Sequence, residues 1–469
     1  MGSRHRGWVI VAGLVSAAGL VATGALVAQP ELPPTPDAEA AAPEVPPPTY
    51  VGSKACLTCH KDEAAGWAES AHGQKLAAAD LPEAQRECEA CHGPGSAHVG
   101  STGKVAIGMT FKDAASADVV KACGACHVKG AVEGVPAEWS TLDSKYWART
   151  LHARGDMACT ACHRVHGGEG KALQKAPEAL CLECHDEMRP AEGAYVHAPV
   201  AQGRCLDCHT PHGEAPRHNL LSDIGAACRA CHDPAAEGFT AAHLGYSVAE
   251  SDCTSCHDPH SSDREHKLIA KRRHAPFEAH QCETCHAADA NGPSNKLKKP
   301  VKELCATCHP ASKTHPREDA QGRKLVRHAP VDQGLCTVCH NPHATRQPKA
   351  LKDRVDYVCF FCHAKTEDDT LKEFRHKPVA TGNCLLCHKG HVAPYEGLLS
   401  EEPIKACSTC HATQGKFTHP VGVRDGKPVL VPGTKETVVC SHCHDVHGSS
   451  HEGILPQEET SLCRSCHKT

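Results

Sequence analysis

Cysteine, two variable residues, cysteine and histidine recur sixteen times in this chain, and the sixteen copies use all 32 cysteines. The thiols stand at Cys56 and Cys59, Cys88 and Cys91, Cys123 and Cys126, Cys159 and Cys162, Cys181 and Cys184, Cys205 and Cys208, Cys228 and Cys231, and Cys253 and Cys256. They continue at Cys282 and Cys285, Cys305 and Cys308, Cys336 and Cys339, Cys359 and Cys362, Cys384 and Cys387, Cys407 and Cys410, Cys440 and Cys443, and Cys463 and Cys466. The histidines that follow are His60, His92, His127, His163, His185, His209, His232, His257, His286, His309, His340, His363, His388, His411, His444 and His467. Two thiols at this spacing add to the vinyl groups on one porphyrin edge, and the adjoining imidazole folds under the ring to bind iron. Disulfides would not require the histidine, nor would zinc sites built from cysteine pairs. The pattern predicts sixteen covalent haem c groups and leaves no cysteine for a disulfide or a catalytic thiol.

Each iron needs a second axial ligand. Two classes of histidine are placed to give one. His197, His274, His328 and His376 stand eight residues before the first cysteine of a motif, each two residues ahead of a proline. Proline disfavours helix just before itself, so these imidazoles are expected on extended backbone. His152 and His243 hold similar places without the proline, and His419 precedes Pro420 further upstream of Cys440. The second class, His166, His212, His260, His343, His391 and His447, lies three residues after an attachment histidine. One helical turn puts two such residues on the same face. They cannot easily bind opposite sides of one iron, so the later one is expected to reach a neighbouring haem. The expected distal set is completed by His72, His98 and His315. His218, His266, His280 and His451 are spares, while His5 lies in the leader and His442 inside its own motif. Only four methionines are present, so most or all centres are expected to be bis-histidine, low-spin and low in potential.

These sites require a scaffold with a period. The two motifs of a pair start 22 residues apart at Cys159 and Cys181. The interval is 23 for Cys205/Cys228, Cys282/Cys305, Cys336/Cys359, Cys384/Cys407 and Cys440/Cys463. Constant spacing marks a repeated structural unit. Two features break it: the motif at Cys253 stands alone, and Asp289 takes the place of the histidine expected three residues after His286. His280 or His315 would compensate for that loss, and the array is expected to bend or divide near residues 261–281. Aromatic residues make up only 4% of the chain, so the porphyrins must supply the apolar interior. The expected fold is mostly irregular, with short α-helices and little β: an extended multihaem array organised by its covalent haems. Its divisions are a leader over 1–28, a proline-rich linker over 29–50, a three-haem module over 51–145, and a tandem array of thirteen haems over 146–469.

The leader carries Arg4 and Arg6 ahead of an uncharged run from Gly7 to Ala28. This is the pattern of an export signal, nearly long enough to remain as an anchor instead. Eight prolines and four acids follow before Val51, either as an extended spacer or as a tail without function. The formal net charge is −5, to which haem propionates add, and this argues against a nucleic-acid partner. The basic run Lys271, Arg272 and Arg273 reads as a solvated face.

The motifs with Cys-x-x-Cys-His-x-Pro-His at Cys205, Cys253 and Cys336 resemble the doubled-CxxCH multihaem cytochromes c over roughly 146–469. The N-terminal third is similar to decahaem cytochromes that form conduits across bacterial outer membranes. Glu87 to His98, and Trp147 and His152 leading into Cys159 to His166, carry that resemblance. It implies electron transfer without catalysis, through redox-protein partners and an outer-membrane porin, in an exported protein of the periplasm, outer membrane or cell exterior. Two other functions remain open on the residues alone: a multihaem reductase of nitrogen or sulfur compounds, and a filament-forming cytochrome.

Overall fold

The computed structural model describes residues 46–78, 86–131, 135–167, 172–213, 218–265, 267–289, 292–412 and 420–467. The expected leader, most of the linker, His266 and His419 lie outside the described residues. Residues Pro48–Thr469 form one compact unit.

The described chain is made of short helices, turns and two-stranded antiparallel ribbons, without a barrel. The longest described helix, Ser116–His127, has 12 residues and ends in an attachment motif. Its Asp118 lies in the first turn, where an acid complements the helix dipole, and Val119 is fully buried. Four helices share one origin. Ala198–Ala201, Ala275–Glu278, Ala329–Gln333 and Lys377–Ala380 each begin directly after a histidine and carry proline within the first two positions. Proline lacks the N–H that would have no partner there, so it starts the helix without loss. The preceding histidine caps each helix on extended backbone, with φ from −61° at His197 to −78° at His376.

The ribbons tie one repeat to the next. Tyr195–Val196 pairs with Ser261–Ser262, Arg272–Arg273 with Ala344–Thr345, and Val326–Arg327 with Val392–Ala393. Phe374 bridges Ser449 in the same manner. In each case residues just before a capping histidine pair with residues just after a histidine three positions past a motif. The histidines themselves are joined: His197 N–H donates to His260 O at 3.0 Å, His274 to His343 at 2.8 Å, and His328 to His391 at 2.9 Å.

Two kinds of contact reach further. Asn341 Nδ2 donates to Ser255 O at 2.8 Å, which sets the motif at Cys253 against the turn following His340. Arg154 meets Asp356 at 2.7 Å with both side chains buried, and Arg354 adds a second contact to Asp356 at 2.9 Å. Around this pair, Arg375 binds Asp156, Arg149 binds Glu367, and Tyr357 accepts from the backbone of His218. Residues 149–156 and His218 therefore lie against 353–375.

Few apolar side chains are buried, and most of them are alanine or valine. Larger ones lie open beside the thiols, including Phe361 at 61% and Leu386 at 68% exposure. Both sit between the cysteines of a motif. No described helix is long and apolar enough to cross a membrane.

Candidate haem-binding sites

The described cysteines are free thiols. They are not scattered. First thiols hydrogen-bond across consecutive motifs at Cys56/Cys88, Cys123/Cys159, Cys181/Cys205, Cys228/Cys253, Cys305/Cys336, Cys359/Cys384 and Cys407/Cys440. Second thiols feel each other at Cys91/Cys126, Cys162/Cys184, Cys208/Cys231, Cys339/Cys362, Cys387/Cys410 and Cys443/Cys466. Burial and then the neighbouring Cys205 push the Cys181 thiol up to about 11. The two kinds of contact alternate along the sequence. Each motif is thus the spatial neighbour of the next, up to Cys253 and again from Cys282, where Cys285 lies near Cys305. At the step between, the link runs through Asn295, which donates to Ser247 O at 2.6 Å, and through Tyr246, whose ring meets His286 at 5.9 Å.

Each attachment histidine for which the ring partner is described faces another histidine. The separations are 6.3 Å for His60–His98, 6.1 Å for His92–His166, 5.7 Å for His127–His72, 5.9 Å for His163–His212 and 6.1 Å for His185–His152. They are 6.1 Å for His209–His260, 6.0 Å for His232–His197, 6.2 Å for His257–His243, 5.9 Å for His286–His343 and 6.0 Å for His309–His274. They are 5.7 Å for His340–His391, 6.1 Å for His363–His328, 6.2 Å for His388–His447 and 6.0 Å for His411–His376. Two imidazoles sharing one metal at about 2 Å from each nitrogen hold their ring centres roughly 6 Å apart. The narrow range of separations is what a common iron between the rings would set.

The far ring nitrogens support the same fit. Nδ1 of His209, His340, His388 and His444 meets the carbonyl of His218, Lys349, Gly397 and Gly453 at 3.0, 3.0, 2.7 and 2.8 Å. On the facing side, Nδ1 of His197, His274 and His328 meets Pro259, Pro342 and Gly390 at 2.9, 3.0 and 3.0 Å. A carbonyl at Nδ1 fixes the proton there and presents Nε2, with its lone pair, to a metal. Burial draws His209, His340 and His343 below the ordinary histidine value, which keeps the neutral ligand form.

The structure also departs from the expected distal set. Among the described residues His315 faces no attachment histidine; its Nδ1 meets the Thr314 hydroxyl at 2.7 Å. Among the described residues neither His280 nor His315 faces the ring of His286, which meets His343. The rings opposite His286 and His309 are His343 and His274; at the offset seen elsewhere Asp289 would have stood opposite the motif at Cys228, whose His232 faces His197, while His257 of the motif at Cys253 faces His243. The sequence signal for this was present: a histidine three past a motif serves the motif two places earlier.

The doubled CXXCH motif family model matches residues 152–190, 197–237, 247–273, 274–314, 328–368, 376–416 and 432–469. A relative, the multiheme cytochrome MtrA of Shewanella baltica (strain OS185), is 30% identical over 190 residues, covering 39% of this chain and 53% of the relative. The chain thus spans about half the length of the relative it matches. With repeated matches over most of its length, this chain belongs to the doubled CXXCH motif family of multihaem c-type cytochromes.

Proposed function

We propose that the chain is a non-catalytic electron relay carrying sixteen covalent haems. Bound haem supplies a one-electron iron couple held between two axial ligands. The thiol pairs fix each porphyrin edge. The attachment histidines and the rings facing them form the axial sets given above, with His419 as the ring for His467. Nδ1 carbonyls hold the imidazoles neutral and oriented. The alternating thiol contacts carry the reading: consecutive motifs are spatial neighbours, so consecutive porphyrin edges must lie close.

The three-haem module of 51–145 and the array of 146–469 share one scheme of axial donation, since His166 faces His92 across the boundary. The leader over 1–28 fits an exported protein. We place the relay between periplasmic donors and outer-membrane or extracellular acceptors, with other redox proteins and a porin as its partners.

The test is reoxidation of the fully reduced, haem-loaded chain by substoichiometric additions of a bulky protein oxidant that reaches only exposed edges. A continuous relay reoxidises as one population, with electrons redistributing after each addition. A fixed fraction of haem that stays reduced after excess oxidant contradicts it.

A further inference from the structure

The facing rings follow a rule. The first attachment histidine of a pair is met by a histidine from the motif two places on: His163 by His212, His286 by His343, His340 by His391 and His388 by His447. The second is met by the capping histidine upstream of its own pair, as in His232 by His197 and His411 by His376. In the pair at Cys440 and Cys463, the rule assigns His419 to His467. It calls for a histidine three residues past a motif to face His444. Every such histidine is already engaged: His166 and His260 face His92 and His209, and the others face the rings just named.

The geometry agrees. His444 is held as an attachment ligand should be, with Nδ1 at 2.8 Å from Gly453 O, yet among the described residues no histidine ring faces it. It is exposed, whereas the corresponding His163, His209, His286, His340 and His388 are half-buried. His451 does not substitute. It lies two residues before Gly453, whose carbonyl meets Nδ1 of His444, and among the described residues its ring meets no attachment histidine. His442 is turned to its own backbone, with Nδ1 at 3.0 Å from Val439 N.

We propose that the haem iron carried by Cys440, Cys443 and His444 takes its sixth ligand from outside the chain, as a small neutral donor such as water, replaceable by imidazole or carbon monoxide. This makes it a ligand-binding site in an otherwise bis-histidine array, and it rests on the multihaem reading above.

The test is a carbon monoxide titration of the reduced, haem-loaded full chain, with electron paramagnetic resonance of the oxidised form. The expected result is about one carbon monoxide per chain and a matching minor high-spin fraction. Fully loaded protein that binds none and is wholly low-spin overturns the proposal, whether the sixth ligand comes from this chain or from a second copy. Protein that carries no covalent haem refutes the multihaem reading instead. Two double variants locate the site, with haem counting to report assembly. Cys463→Ala with Cys466→Ala removes the neighbouring haem and should retain the carbon monoxide; Cys440→Ala with Cys443→Ala should abolish it. Loss in the first or retention in the second overturns the assignment, and the unmodified chain remains decisive if either variant fails to assemble.

Discussion

At the scale of single residues, the sites are governed by which ring nitrogen points where. His391 illustrates it: Nδ1 meets Thr314 O at 3.2 Å and Nε2 lies 3.4 Å from Nε2 of His340. Both rings present the lone pair inward, and a shared metal would part them slightly. Replacing the distal imidazole with a thioether stabilises the reduced iron. His391→Met is expected to raise the midpoint of one centre by on the order of 0.1 V in a potentiometric titration. An unchanged titration curve would mean that His391 is not an axial ligand. The attachment residues were legible from sequence because covalent chemistry demands a fixed local pattern. The rings that face attachment histidines were legible where they recur at fixed offsets from a motif. His315 shows the limit: lacking such an offset, it was included on availability, and its neighbour Thr314 serves His391 instead.

At the scale of elements, the recurring device is a left-handed turn about nine residues after an attachment histidine. Gly397 and Leu398 adopt φ of 66° and 57°, Gly453 and Ile454 70° and 53°, and Lys349 and Ala350 58° and 56°. The turn swings a carbonyl onto Nδ1 of the ring. Glycine adopts this conformation freely, while a side chain at Lys349 strains it. Lys349→Gly retains the carbonyl and is expected to stabilise the loaded protein by about 1 kcal/mol in denaturant unfolding. A loss of stability would show that the lysine side chain matters more than the backbone strain. Sequence reasoning foresaw short helices and, through the prolines, extended backbone at the upstream histidines, but not that each of these opens a helix. It did not find the ribbons, because strands of two residues carry no periodicity that a pattern can reveal.

At the scale of the whole array, the buried Arg154–Asp356 pair joins residues 202 apart in sequence. Nothing local marks these two as partners, so the sequence could not reveal the surfaces that they join. Arg154 also lies 5.6 Å from the Phe360 ring centre, so removal of the acid would leave a buried cation against an aromatic wall. Asp356→Ala is expected to cost about 3 to 5 kcal/mol. Hydrogen exchange should then accelerate in 150–156 and 354–360 together. Acceleration in only one of the two segments would show that they do not depend on each other.

Beyond these contacts, a relay requires succession: haems adjacent in sequence must be adjacent in space. Electron cryo-microscopy of the haem-loaded protein tests this most directly, because it locates every porphyrin against its own cysteines. The account predicts that each haem's edge lies against that of the next along the sequence, with the step from Cys253 to Cys282 as the exception. Porphyrins set apart from their sequence neighbours, or lying in an unrelated order, would contradict it.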